Sequence, residues 1–263
     1  MEIRKFLIES ALLTHGLKSI TNEVLLGEWK SDKKNIVWID NGEIIFGSIK
    51  DFVSFRNRCN DLIRIDCFTL EKAIKEKLSG ALTASGTMAV CQKYNIKLAI
   101  TCGMGGIGDI KGEELCPDLP ALEKIPVCLI STSPKDMLDV EATLTWLKDK
   151  GVRVLSAKGD ACTGYIFNSV DIKLQEIKHL NEVNLDNGKL LILNPIPTED
   201  RVKDLNILKI AIEEGKKAEA IGKYYHPAVN GKIDELTDGY SSYIQLKSII
   251  NNIEIAEKII ANK

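Results

Sequence analysis

Short apolar runs alternate along the chain with longer amphipathic stretches, the pattern of strands separated by helices around a largely parallel sheet. The apolar runs predict strands over residues 6–13, 35–39, 97–101, 127–131, 153–156 and 189–193. Apolar positions recurring every three or four residues predict helices over 70–78, 87–94, 134–150, 202–219 and 243–261. In the last of these, Leu246, Ile249, Ile250, Ile253, Ala256 and Ile260 make one apolar stripe. Residues 156–187 are polar and irregular and carry no clear period. No internal repeat or low-complexity linker interrupts the pattern, so a single α/β domain over residues 1–263 is expected.

Composition narrows the function classes. A hydrophobic fraction of 44% and a charged fraction of 27% are ordinary for a soluble globular chain, and 263 residues can bury a substantial core. The formal net charge of -2 supplies no global attraction to a nucleic acid polymer or an anionic membrane. No apolar run approaches the roughly 20 residues that span a bilayer. Glu9 also interrupts the N-terminal apolar segment where a signal peptide would be unbroken, so a cytoplasmic protein is expected. The seven cysteines form no C-x-x-C pair, which points away from both a disulfide framework and a zinc knuckle. Function must therefore be read from a site that takes a small molecule.

Four segments carry candidate chemistry. Residues 97–108, KLAITCGMGGIG, run from an apolar strand into a loop with Gly103, Gly105, Gly106 and Gly108. Glycines at a strand's C-terminal end let backbone N–H groups approach an anion, and a tight turn without a ligand is the alternative. Residues 127–138, VCLISTSPKDML, place Lys135 beside Pro134, where a first helical turn is expected. Helix N-terminal N–H groups and apolar surroundings would both favour a neutral, nucleophilic amine there; a solvated lysine is the alternative. In residues 6–16, FLIESALLTHG, Glu9 either faces solvent or is buried with a raised pKa as a general acid, with His15 nearby. Residues 192–197, ILNPIP, hold Asn194 in a rigid loop, where its amide caps the strand or reads a base edge or sugar hydroxyl.

In order, the chain carries Glu9-Ser10, His15-Gly16, Gly80-Ala81, Thr83, Thr87-Met88, Thr101, Gly103 and Gly105-Gly106. Lys135 with Met137-Leu138-Asp139, then Asn194-Pro-Ile-Pro197, Glu235-Leu-Thr237, Gly239, Asn251-Asn252 and Ala256 complete the series. This succession resembles the pseudouridine-5'-phosphate glycosidase family, also called indigoidine synthase A-like, from about Phe6 to the C-terminus. The resemblance implies a three-layer α/β/α fold with a mixed, largely parallel sheet, a homotrimer, and a divalent metal, usually manganese. It implies Lys135 as the nucleophile forming an imine with ring-opened ribose 5-phosphate, Glu9 as proton donor and Glu114 as metal ligand. Arg64, Thr83, Ala84, Thr101, Gly105, Gly106, Cys116, Asp118, Asn194 and Gln245 would contact substrate. The implied activity is that of a C-nucleoside 5'-phosphate glycosidase or C-glycosynthase; a catalytically silent sugar-phosphate-binding homologue is the alternative. Such chemistry needs an amine because the leaving atom is carbon, which a pair of carboxylates cannot release as they release a glycosidic oxygen.

The departures from the family pattern cluster around substrate recognition. Arg64 stands where the family has lysine, keeping the charge with a different donor geometry. The family's Gly-Gly-x-His-Arg continuation becomes Gly106-Ile-Gly-Asp109, without the histidine or the cation. Its Asp-Ile-Ser-Ala-Asp loop becomes Glu114-Leu-Cys-Pro-Asp118, so Cys116 replaces a hydroxyl, and Gln245 replaces an asparagine expected to meet the base. These departures leave the base open and support two outcomes, the same bond chemistry on a changed base or sugar, or a non-catalytic relative that binds a sugar phosphate or a partner protein.

Overall fold

A computed structural model of the chain describes residues 4–108, 115–186, 188–223 and 225–261. Its strands are β1 (Leu7–Ile8), β2 (Ile36–Asp40), β3 (Glu43–Gly47), β4 (Ile63–Ile65), β5 (Gly80–Leu82), β6 (Leu98–Ile100) and β7 (Gly103–Met104). They continue with β8 (Cys128–Ser131), β9 (Ser133–Pro134), β10 (Arg153–Ser156), β11 (Ala161–Cys162), β12 (Ile172–Lys173), β13 (Gln175–Glu176) and β14 (Leu190–Leu193). The helices are α1 (Asn22–Glu28), α2 (Ile49–Arg56), α3 (Leu70–Lys75), α4 (Ala84–Lys93), α5 (Asp118–Lys124), α6 (Val140–Asp149), α7 (Leu205–Ala220), α8 (Tyr225–Leu236) and α9 (Tyr240–Ile260).

Ten strands form one sheet in the order β13-β10-β14-β8-β6-β1-β2-β5-β4, with β3 paired to β2. The β2–β3 and β2–β5 ladders are antiparallel and the other ladders of this sheet are parallel. Successive strand residues point to opposite faces, and here both faces are covered. Leu98 and Ile100 of β6 and Cys128 and Ile130 of β8 join a core under α1, α2, α7, α8 and α9. Ala99 and Leu129 between them join the opposite core under α3 to α6. The result is the expected three-layer α/β/α arrangement. Helix starts follow local chemistry: α2 opens in a capping box in which Ser48 and Asp51 satisfy each other's N–H groups, worth about 1 kcal/mol. Among the described residues no helix is long and apolar enough to cross a membrane.

Two predicted elements are corrected where they meet the candidate site. The strand expected over 6–13 ends at Ile8, because Ser10 exchanges hydrogen bonds with Leu82 at the end of β5 and the chain then winds into a π-helical turn over Leu12–Gly16. The helix expected from 134 begins at Val140, where the Asp139 carboxylate accepts the Ala142 N–H at 2.9 Å and caps it. Ser133–Pro134 instead pairs with Gly103–Met104, and the Lys135 N–H donates to Met104 O at 3.2 Å. Lys135 therefore lies in the loop between β9 and α6.

Candidate active site

Four neighbouring parallel strands, β14, β8, β6 and β1, end on the same edge of the sheet, the edge at which open α/β sheets hold their ligands. Glu9 directly follows β1 and Thr101 follows β6. The Glu9 backbone N–H donates to Ile100 O at 3.0 Å, which fixes Glu9 beside β6. The side chain is only 6% exposed. Burial, reinforced by the neighbouring Asp118 charge, raises its pKa to about 7, while Lys135, the Thr101 hydroxyl and Arg64 pull it down. The Thr101 hydroxyl is itself buried and makes no well-formed hydrogen bond.

Lys135 is anchored through its sequence neighbour. The buried Asp136 carboxylate accepts N–H groups from Tyr165, Ile166 and Phe167 at 2.8, 2.7 and 3.0 Å, and the Ser169 hydroxyl at 2.6 Å. Four donors on one carboxylate leave the loop little freedom. Burial and then the Arg64 charge depress the Lys135 amine below the usual lysine range, against Glu9, Cys116 and Asp118. The depressing cation is thus a guanidinium from β4 rather than the helix terminus expected from the sequence. Arg64 is exposed and, among the described residues, forms no ion pair.

The glycine loop is held tightly against neighbouring side chains. The Gly105 N–H donates to Asp118 Oδ2 at 2.8 Å and the Ile107 N–H to Thr143 Oγ1 at 2.9 Å. A Cβ on Gly105 would lie 2.0 Å from Cys116 Sγ, and one on Gly106 would lie 2.4 Å from Thr143 Oγ1. Both glycines are required for close side-chain packing. Asp118 Oδ1 accepts the Ser85 N–H at 2.9 Å, tying the loop to the start of α4, where Thr83 caps the helix and Ala84 is buried. Glu9, Lys135, Arg64, Cys116, Asp118 and Thr101 thus fall in one electrostatic neighbourhood. Asn194 and Gln245 have side chains engaged within the protein next to this cluster: Asn194 donates to Asn252 Oδ1 at 2.9 Å, and Gln245 accepts the Tyr165 hydroxyl at 3.0 Å and donates to Ser241 O at 3.1 Å. The candidate metal ligand Glu114 lies outside the described residues. Among the described residues no three His, Cys, Asp or Glu side chains converge as a cation would need, so these residues do not by themselves assemble a metal site.

The sequence profile described as indigoidine synthase A like protein matches residues 7–262. The chain belongs to this family. As an indigoidine synthase A-like protein it is 26% identical over 275 residues to a pseudouridine-5'-phosphate glycosidase of Glaesserella parasuis, covering 96% of this chain and 90% of the relative. The corresponding glycosidase of Mycoplasmopsis agalactiae is 28% identical over 274 residues, with 96% and 90% coverage. Two crystal structures share the fold. An indigoidine synthase A-like protein from Thermotoga maritima matches with a TM-score of 0.79 at 21% identity, covering 98% of this chain and 93% of its own. The prealnumycin C-glycosynthase AlnA, in complex with ribulose 5-phosphate, matches with a TM-score of 0.77 at 20% identity and 97% and 91% coverage.

This indigoidine synthase A-like protein brings to the cluster one residue that the sequence reading did not single out. His226 on α8 has its pKa lowered to about 3, first by burial and then by the Lys135 and Arg64 charges, so it is neutral at physiological pH. His15, on the π-helical turn, is also held below the usual histidine value by burial and Arg64, with its Nε2 atom 3.0 Å from Leu62 O. The chain has only 3 histidines, and two of them meet here. That scarcity was the available signal for His226.

Proposed function

We propose that the protein makes or breaks the C–C bond between a nucleobase carbon and C1′ of ribose 5-phosphate, with Lys135 as covalent nucleophile and Glu9 as proton donor. The observation that carries this reading is the pairing of an acid held at about pH 7 with a buried, depressed amine in one cluster. An acid and a base whose environments bring their pKa values toward the working pH are the usual mark of proton-transfer chemistry. The family's pseudouridine-5'-phosphate glycosidases and the fold shared with a C-glycosynthase support the substrate class.

In the cleavage direction the Lys135 amine bonds to C1′ as the C1′–O4′ bond opens, and the amine proton passes to the ring oxygen. The nitrogen lone pair then forms C=N as the C–C bond breaks, and the Glu9 proton goes to the departing base carbon. Water releases ribose 5-phosphate and restores the amine. Synthesis is the same sequence reversed. The exposed Arg64 attracts the phosphate. The proposal includes a cytoplasmic homotrimer, for which Ile63 and Phe68 offer exposed apolar surface at the β4 edge, and a divalent cation held through Glu114 to which no step is assigned.

Borohydride reduction in the presence of ribose 5-phosphate, read by intact mass and peptide mapping, is expected to add the reduced sugar phosphate to Lys135. No adduct on folded protein sinks the covalent mechanism. A second reading, a silent sugar-phosphate binder, draws on Gln245, whose amide is engaged by Tyr165 and Ser241. That reading predicts thermal stabilisation by ribose 5-phosphate without turnover of pseudouridine 5'-phosphate or any other C-nucleoside phosphate.

A further inference from the structure

Helix α8 presents two different faces one residue apart. Tyr225 and Val229 pack into α7 at Gly215, where a Cβ would lie 2.4 Å from Val229 Cγ2 and 2.7 Å from Tyr225 Cε2. His226 and Asn230, each one position further on, lie about 100° around the helix from that contact and one turn apart on a shared stripe. On this stripe His226 Nε2 and Asn230 Oδ1 are both shut off from water and both lack a hydrogen-bond partner. An unpartnered buried polar atom is costly, so two on one stripe mark a place where something else supplies the bonds. The Lys135 and Arg64 charges both act on His226, which places that end of the stripe near the candidate nucleophile and the unpaired guanidinium. Helix α8 also packs against the π-helical turn, whose His15 has a buried Nδ1 without a partner.

We infer that His226 and Asn230 are ligand contacts, their unpartnered atoms hydrogen-bonding the oxygens of a bound sugar phosphate. His226 does so as a neutral imidazole: its Nε2–H donates to a phosphate or hydroxyl oxygen without adding a third full positive charge to those of Lys135 and Arg64. Asn230 Oδ1 accepts a sugar hydroxyl one turn along. The pair thereby selects for a phosphorylated polyol over inorganic phosphate, which offers no such spread of oxygens. This assignment rests on the sugar-phosphate reading of the site but not on its covalent step.

Ribose 5-phosphate and inorganic phosphate are titrated by calorimetry into wild-type protein, His226→Phe, His226→Gln and Asn230→Ala. His226→Phe is expected to weaken ribose 5-phosphate at least tenfold, His226→Gln to recover part of the loss through its own N–H donor, and Asn230→Ala to weaken it severalfold. Inorganic phosphate should change less than threefold. In wild-type protein the His226 imidazole NMR signals should move on saturation with ribose 5-phosphate, a readout that holds even where a variant fails to fold. Unchanged affinity in both His226 variants, or unmoved imidazole signals at saturation, overturns the inference. Moved signals without a borohydride adduct leave it standing while removing the imine; a Lys135 adduct with unmoved His226 signals does the opposite. A wild-type protein that binds no ribose 5-phosphate overturns both.

Discussion

Two polar regions meet at Thr101 on the same sheet edge, and they differ in how far their hydrogen bonds are satisfied. In one, the rear network, Asn252 donates to Thr101 O at 2.8 Å and Thr132 Oγ1 at 3.1 Å and accepts Asn194, while Thr132 and Ser248 share a contact of 2.5 Å. In the other, the front cluster, Glu9 and Lys135 are buried with pKa values pushed toward each other, and His226 Nε2 and Asn230 Oδ1 have no partner. Thr101 belongs to both: its carbonyl is held by the rear network and its hydroxyl acts on the Glu9 carboxyl in front. A complete network rigidifies, whereas an incomplete one is tolerated where a ligand completes it. The rear network is therefore read as the scaffold that holds strand ends in register, and the front cluster as the place where chemistry happens.

The sharpest way to break this division is at Lys135. Lys135→Met should abolish the borohydride adduct and lower turnover of pseudouridine 5'-phosphate by at least about a thousandfold, because the covalent route is removed outright. Its melting temperature should hold or rise, since a buried amine disfavoured by desolvation is replaced by an apolar chain. A variant that loses stability in proportion to activity would place Lys135 in the scaffold instead.

Glu9→Gln should lower kcat/KM by roughly 10²–10⁴-fold, the usual range for a proton donor. Stability gives an independent readout with a fixed sign. The folded pKa of Glu9 is raised from 4.5 to about 7, so its contribution is full below the unfolded value and is lost as pH rises through about 7. Glu9→Gln escapes that loss. By denaturant titration it should be more stable than the parent at pH 9 by up to roughly 3 kcal/mol, shrinking below about 1 kcal/mol at pH 5.

The rear network should answer in the other currency. Asn252→Ala strips partners from Thr101 O and Asn194 at a fully buried position, and a loss of about 2–4 kcal/mol is expected in chemical denaturation. Folded variant should retain activity within roughly tenfold, because no reacting group is removed. An unchanged midpoint would remove the scaffold reading.

The parts of this division legible in the sequence are those carried by long apolar runs. Runs at 97–101, 127–131 and 189–193 match β6, β8 and β14 closely, so the strand ends bearing Thr101 and Asn194 were readable. Lys135 was readable as chemistry but misplaced in structure. Ser131, Thr132 and Ser133 look like helix caps, yet their hydroxyls go to Cys102 O, Ser248 and Cys162, and Asp139 caps α6. Strands β4 and β5 have three residues each, too few to show alternation, which hid the element that carries Arg64. The helix bearing His226 was hidden by Pro227, although proline is tolerated in a first turn, where its missing N–H has no helical partner anyway. The unsatisfied atoms that separate the two regions are a property of three-dimensional packing and have no one-dimensional signature.

The mildest perturbation tests whether the front cluster acts as one electrostatic unit. Arg64 lowers the pKa of both Glu9 and Lys135, so removing it should raise both. In the pH profile of kcat/KM, the alkaline limb follows ionisation of Glu9 and the acid limb follows protonation of Lys135. Arg64→Gln should therefore move the whole bell toward higher pH by a few tenths of a unit, a small amount because the guanidinium is exposed and screened. Its KM for the phosphorylated substrate should rise about tenfold as phosphate attraction is lost. Raising the salt concentration around the parent should reproduce the direction of the shift and little of the KM change that depends on direct contact. If only one limb moves, Glu9 and Lys135 are not coupled through Arg64, and the front cluster separates into independent groups.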